Sequence, residues 1–195
     1  MKNTRRAALK KTGDAAKQKT QTAVERPGTW HLARTETERR LSDFEFRLER
    51  LAQAYYRWKA ACLAAVCDVP LTGDDVAVLN VVRMGDEPKR LSEIGQLLNR
   101  VDVPNLQYAT RKLVRAALIE TEGSSSRKET RYRTTATGRS VTEAYAALRA
   151  ATLPPMLDAL DGWTAKSESA GVHLDLISSL YAQAAQAAIT RRHQP

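Results

Sequence analysis

The sequence predicts a mainly α-helical fold in which a compact lobe of short helices and one small β hairpin lies between two long helices. Three observations predict it. Apolar residues recur at alternating spacings of three and four near both ends of the chain, the beat of a helix that buries one side along another helix. Between these ends, two short amphipathic segments, 91–98 and 103–117, are separated by a tight connection. Directly after them, 119–123 and 129–135 read as two strands around the Ser-rich tip SSSRK.

In chain order, residues 1–28 are rich in Lys, Ala, Thr and Gln and nearly free of large apolar groups. They bury too little surface to offset chain ordering and are expected to be disordered. From Thr37 to Val66 one helix is expected, with a seam of Leu41, Phe44, Leu48, Leu51, Tyr55, Trp58, Cys62 and Ala65. Thirty helical residues extend about 45 Å, longer than the central lobe requires. Leu41, Phe44, Leu48, Leu51 and Tyr55 are therefore expected to meet a second copy of the chain, with packing onto the C-terminal helices of the same chain as the alternative. Thr72 and Asp75 form a capping-box start for a helix carrying Val76, Leu79 and Val82, which Gly85 to Pro88 ends.

Ser92 is the expected N-cap of the next helix, whose Ile94, Leu97 and Leu98 share a face, and Asn99 and Arg100 lead into the turn. Asp102 is the expected cap of the helix after it, with Pro104 in the first turn, where a missing N–H is tolerated. At about 100° per residue, Leu106, Ala109, Thr110, Leu113 and Ala117 share a packing face. Pro104, Gln107, Tyr108, Arg111 and Arg115 point the other way. An outward face of amide, phenol and guanidinium groups suits a DNA major groove, where Arg pairs with guanine and Gln with adenine. An ordinary amphipathic helix with a solvated basic face is the plainer alternative.

In the hairpin, Arg131 and Arg133 alternate with Tyr132 and Thr134, so the cations share one face and Tyr132 turns to the core. Arg127 and Lys128 at the tip can meet phosphate or the minor groove. A helix from Gly138 to about Leu153 carries Val141, Tyr145 and Leu148 on one face, and Pro154-Pro155 is expected to kink or restart it. Asp161 to Gly171, rich in small polar residues, reads as a break before a last helix, about Val172 to Arg191. There Leu174, Ile177, Tyr181, Ala184 and Ala188 repeat the three-four beat, and Leu174, Ile177 and Tyr181 are expected in the same interface as the first long helix.

From about Leu71 to Arg139 the chain resembles the multiple antibiotic resistance regulator (MarR) family of winged helix-turn-helix transcription factors. The resemblance runs through LTGDDVAVLNVVRM, LSEIGQLLN, VPNLQYATRKLVRAALI, a two-stranded wing and TTATGRS. The order of these segments carries it rather than any single motif. Two departures stand out: Ala117 occupies a position where many relatives have Gly, and SSSRKETR replaces an Asp-x-Arg pattern in the wing. The first places Ala in a left-handed helix cap, a strained position relative to Gly.

Residues 1–35 are expected, from their charge and composition, to form a basic tail, and 36–195 a single domain of the kind the resemblance implies. Within the domain, 36–67 and 138–195 are dimerisation helices and 71–137 is the DNA-binding lobe. The resemblance further implies a homodimeric transcriptional regulator, expected to be a repressor of a pseudo-palindromic operator, that holds double-stranded DNA with the 103–117 helix and the wing. The expected DNA-contacting residues are Ser92, Asn105, Gln107, Tyr108, Arg111, Lys112, Arg115, Arg127, Lys128, Arg131 and Arg133. Gln107 and Arg111 are assigned to base edges, Lys112 and Arg115 to phosphates. A small-molecule effector is also implied, although Tyr55, Trp58 and Tyr108 do not by themselves assign its pocket.

Charge supports an acidic partner. The 195-residue chain carries a formal +9, and residues 1–35 hold nine basic residues against two acidic ones. A further twelve basic residues against seven acidic ones fall between Arg83 and Arg139, so basicity is concentrated in the tail and the lobe. No apolar run approaches the length of a bilayer span and no secretory signal is read, so a cytoplasmic, membrane-free protein is expected. Cys62 and Cys67 lack metal-ligand spacing, His31, His173 and His193 have no partners one turn away, and the glycines are too scattered for a phosphate loop. No catalytic residue, metal or cofactor is expected. Two other readings stay open: a sequence-indifferent chromosome-associated DNA-binding protein, and a winged-helix protein-interaction module.

Overall fold

The computed structural model describes residues 31–123 and 130–192. The N-terminal tail and the wing tip, including Arg127 and Lys128, lie outside the described residues. Residues up to Glu49 and residues from Arg50 onward form two compact units. In the first, helix α1 (Glu36–Ala64) begins. Thr35 and Glu38 cap it reciprocally: the Glu38 N–H donates to the Thr35 hydroxyl at 3.2 Å and the Thr35 N–H to the Glu38 carboxylate at 2.9 Å.

The second unit holds the rest of α1, then α2 (Gly73–Arg83), β1 (Lys89–Arg90), α3 (Leu91–Leu97) and α4 (Val103–Arg115). After these come β2 (Ile119–Glu122), β3 (Arg131–Thr134), α5 (Ala136–Asp158) and α6 (Trp163–Arg192). Its core is made by Cys62 and Leu63 of α1, Val76, Val78, Leu79 and Val82 of α2, Ile94 of α3, Leu106, Ala109 and Leu113 of α4, and Tyr145 of α5. The periodicity explains this set, because each helix turns one apolar stripe inward. The sheet has three strands rather than the expected two, antiparallel in the order β1-β3-β2, with Lys89 and Thr121 flanking Tyr132. Tyr132 is half-buried against the core, as the alternation predicts.

The Thr72–Asp75 capping box is present, with both reciprocal bonds made. Two other caps differ from expectation. Ser92 lies exposed inside α3, and the cap is Arg90, whose N–H donates to Glu93 at 2.7 Å. Asp102 is the cap residue of α4, but its carboxylate makes no capping bond. It faces Arg100 instead.

The exit of α4 is a tight left-handed cap. Ala117 has φ 54°, its N–H donates to the Val114 carbonyl, and the Leu118 N–H donates to Leu113 at 3.0 Å. Ala117 therefore lies beyond the helix and not on its packing face. The chain then returns against this exit. The Thr135 hydroxyl donates to the Ala117 carbonyl at 2.7 Å and accepts from the Gly138 N–H at 2.9 Å. Only glycine fits at 138, since a Cβ there would lie 1.8 Å from the Leu118 carbonyl oxygen.

Two expectations for the C-terminal helices are corrected. α5 continues through Pro154 and Pro155 to Asp158. The prolines deprive the carbonyls of Ala150 and Ala151 of helical donors, but both residues are exposed and water can serve them. The polar stretch 161–171 is mostly helical, because α6 begins at Trp163, directly after Gly162 at φ 68°. Its hydroxyls return to the helix itself: Ser167 donates to the Thr164 carbonyl at 2.8 Å.

Replacing Ala117 with Gly relieves the left-handed backbone without touching the core. Ala117→Gly should raise the unfolding free energy by about 1 kcal/mol, read from chemical denaturation. An unchanged or lower midpoint contradicts the strain.

Candidate nucleic-acid interface

α3 ends in a left-handed turn that directs the chain into α4. Asn99 has φ 52°, its N–H donates to the Gln96 carbonyl at 3.0 Å, and the Arg100 N–H donates to Gly95 at 2.8 Å. This pairing satisfies two helix-end carbonyls and reverses the chain sharply. The Asn99 side chain also donates to the Ser178 hydroxyl of α6 at 3.0 Å.

α4 then presents two unlike faces. Leu106, Ala109, Thr110 and Leu113 are buried, whereas Tyr108, Arg111 and Arg115 are exposed and Gln107 is half-buried beside them. Asn105 is exposed, and its amide donates to Asp102 at 3.0 Å. Lys112, expected at a phosphate, instead turns toward α2, where its ammonium lies 2.7 Å from Asp75. Asp75 is only 4% exposed and also accepts from the Thr72 backbone and hydroxyl. One carboxylate thus caps α2 and anchors α4.

The other cations of the lobe are mostly occupied. Arg100 pairs with Asp102 and Asp74, and Arg83 with Asp86 and Glu143. Arg133 lies 2.8 Å from Glu120, and Arg131 donates to the Pro88 carbonyl at 3.2 Å. The two wing cations differ in exposure: Arg131 is half-buried at its strand and Arg133 is exposed. Lys89 reaches back to the end of α2, donating to the carbonyls of Val82, Met84 and Glu87, a favourable position for a cation at a helix C-terminus. Among the described residues, Arg111 and Arg115 make no ion pair. Asp102 is held well below the usual carboxylate range, first by its hydrogen bond from Arg100 and then by that from Asn105.

Of the expected interface seam, Leu41, Phe44, Leu51, Tyr55, Leu174 and Tyr181 are exposed, while Leu48 and Ile177 are half-buried. Separately, a cavity of about 460 Å³ is lined by Tyr55, Asn80, Arg83, Thr142, Tyr145 and Arg149, among others. Trp58 borders it indirectly, its ring lying 5.6 Å from the Arg149 guanidinium, and Tyr108 is on α4 away from its lining. Burial pushes the Tyr145 phenol up from its ordinary value. Cys62 is buried in the core and Cys67 half-buried. Among the described residues no cluster of metal-ligating side chains occurs, and no helix is long and apolar enough to cross a membrane.

Sequence reasoning missed Arg100 as a clamp, the Asp75–Lys112 pair and the strand role of Lys89. The capping box singled out Asp75, but nothing local tied it to a lysine 37 positions away.

Comparison with known proteins agrees with this geometry. Residues 71–138 match the family model described as winged helix DNA-binding domain. Reduced AbfR bound to DNA, a protein of Staphylococcus epidermidis, superposes with a TM-score of 0.59 at 17% identity over 74% of this chain and 99% of that one. The Staphylococcus aureus MepR–DNA complex gives 0.56 at 15% identity, over 70% of this chain and 96% of that one. Sco5413 of Streptomyces coelicolor, a MarR family transcriptional regulator, gives 0.54 at 21% identity, over 74% and 94%. No curated protein matches the chain. Residues 71–138 are thus similar to winged helix DNA-binding domains, and the chain shares its fold with the solved MarR family transcriptional regulator Sco5413.

Because Lys112 serves Asp75, its loss should be felt in folding. Lys112→Met should cost about 1–3 kcal/mol of stability by leaving a buried carboxylate short of a partner, and should leave the salt dependence of DNA binding unchanged. Arg115→Ala should show the reverse, flattening that slope by about 0.9. Denaturation and salt titration of both variants check the assignment, and a flattened slope for Lys112→Met contradicts it.

Proposed function

We propose that the chain is a homodimeric transcriptional regulator that represses by occupying a pseudo-palindromic DNA site, with α4 of each subunit in the major groove. The observation that carries the reading is the division of cations: most of those in the lobe are engaged by carboxylates or carbonyls, while Arg111 and Arg115 on the exposed face of α4 make no ion pair among the described residues. Gln107, Tyr108 and Arg111 are assigned to base edges and Arg115 to phosphate. Ser92 and Asn105, exposed at the starts of α3 and α4, are flanking contacts, and Arg131 and Arg133 approach the backbone from the wing. Arg127 and Lys128 extend the wing contact in this reading, and the basic tail adds sequence-independent attraction.

The partner subunit is assigned to the apolar faces of α1 and α6. Leu41, Leu51 and Leu174 are large apolar groups exposed in an isolated chain. A small-molecule effector is assigned to the cavity bearing Tyr55, Asn80, Arg83, Glu143 and Arg149, where Arg83 is already paired with Asp86 and Glu143.

Selection of bound sequences from random duplexes with the purified full chain tests the reading. A two-fold symmetric motif with half-sites about 10 bp apart is expected. Salt-sensitive binding without enrichment would instead favour a sequence-indifferent DNA-binding protein. Absence of binding at low salt would favour a protein-interaction module.

On the enriched duplex, Arg111→Ala should cost about 1–3 kcal/mol and less on a scrambled one. Equal losses on both remove Arg111 from base reading. Leu174→Glu combined with Tyr181→Glu should convert dimers to monomers in sedimentation. A monomeric wild-type protein overturns the dimer.

A further inference from the structure

Arg100 sits in the turn between α3 and α4 with its side chain only 19% exposed. Its guanidinium grips Asp102 with both ends of the fork, Nε to Oδ1 at 2.9 Å and Nη2 to Oδ2 at 2.7 Å. The third nitrogen lies 3.4 Å from Asp74 in the first turn of α2. Its backbone is equally committed, since its N–H donates to Gly95 at 2.8 Å. The turn is packed so closely that a Cβ on Gly95 would lie 3.1 Å from the Arg100 carbonyl oxygen and 3.1 Å from Leu106. Asp102 is the residue from which α4 starts, and it also accepts from the Asn105 amide.

We infer that Arg100 is a positioning residue for DNA reading: it locks the start of α4 to α2 and so fixes the angle at which Gln107 and Arg111 meet the bases. The inference rests on the proposed role of α4 and deepens it. A partly exposed ion pair contributes little net stability, but a bidentate fork restricts orientation as a point charge does not. Lys112 is anchored on Asp75 just beyond Arg111, so without the clamp α4 pivots about Lys112. A tilt of about 10° then displaces Gln107, about 7.5 Å away along the helix, by about 1.3 Å. That displacement is enough to break a hydrogen bond to a base edge. The second anchor, Lys112 on Asp75, lies beyond Arg111, so the reading residues are held between two fixed points on consecutive aspartates of α2.

The test uses the full chain and two duplexes, one carrying the motif enriched by the wild-type protein and one scrambled. The readout is the ratio of the two affinities, measured at a temperature where each variant is folded by circular dichroism. A role in folding alone would not move that ratio. Arg100→Gln and Asp102→Asn should each lower it about tenfold, and the double variant should lower it no further, because the two groups act as one unit. Arg100→Lys, which keeps the charge and loses the fork, should behave like Arg100→Gln. If Arg100→Gln fails to fold, Asp102→Asn tests the same clamp from the other side. An unchanged ratio in a folded variant, additive losses in the double variant, or full retention by Arg100→Lys overturns the inference alone. A wild-type ratio near one overturns the reading by α4 and the inference with it.

Discussion

Asp75 accepts from the Thr72 N–H at 2.9 Å, the Thr72 hydroxyl at 3.0 Å and the Lys112 ammonium at 2.7 Å while remaining 4% exposed. A carboxylate in such a place is tolerable only with its lone pairs satisfied and its charge matched. The start of α2 and the middle of α4 are therefore obliged to stay together. The apolar stripes around it, Val76 and Leu79 on one helix and Leu106 and Leu113 on the other, supply most of the attraction. They are less selective about angle and register than a salt-bridged, hydrogen-bonded carboxylate.

This constraint sorts the side chains of α4 by task. Lys112 is used inward, and with Arg100 it ties the helix to two adjacent acidic residues of α2. Gln107, Tyr108, Arg111 and Arg115 are left on the opposite side, at least partly open to solvent. Rigid support beneath an open polar face is what a sequence-reading element requires, since base contacts demand tighter placement than phosphate contacts do. The wing is built differently. Its Arg133 is paired with Glu120 across the strands, an exposed pair that exchanges one partner for another at small cost.

Local signals made much of this legible in the sequence. The Thr72–Asp75 box, the two-faced pattern of α4, the alternation around Tyr132 and the left-handed position of Ala117 all arise from residues within one or two turns of each other. What was not legible depends on distant partners or on competition between weak preferences. β1 is only Lys89–Arg90, two polar residues that become a strand because β3 lies alongside. The Pro154-Pro155 pair sits where exposed carbonyls tolerate the missing donors, so it fails to stop α5. Ser167 and its neighbours suit a loop by composition, yet the Ser167 hydroxyl is satisfied within α6. Lys112 lies at the flank of the face that carries Arg111 and Arg115, and the position of Asp75 draws it inward, away from the expected phosphate contact.

With its open face in a major groove, as proposed, α4 would cover guanine N7, which lies only in that groove. Dimethyl sulfate footprinting of the complex with an enriched duplex reads this placement directly. Protection of guanine N7 is expected in two patches about one helical turn apart, lost when Gln107, Tyr108 and Arg111 are replaced together. Binding with every guanine N7 still reactive, or protection that survives the triple replacement, would contradict the placement.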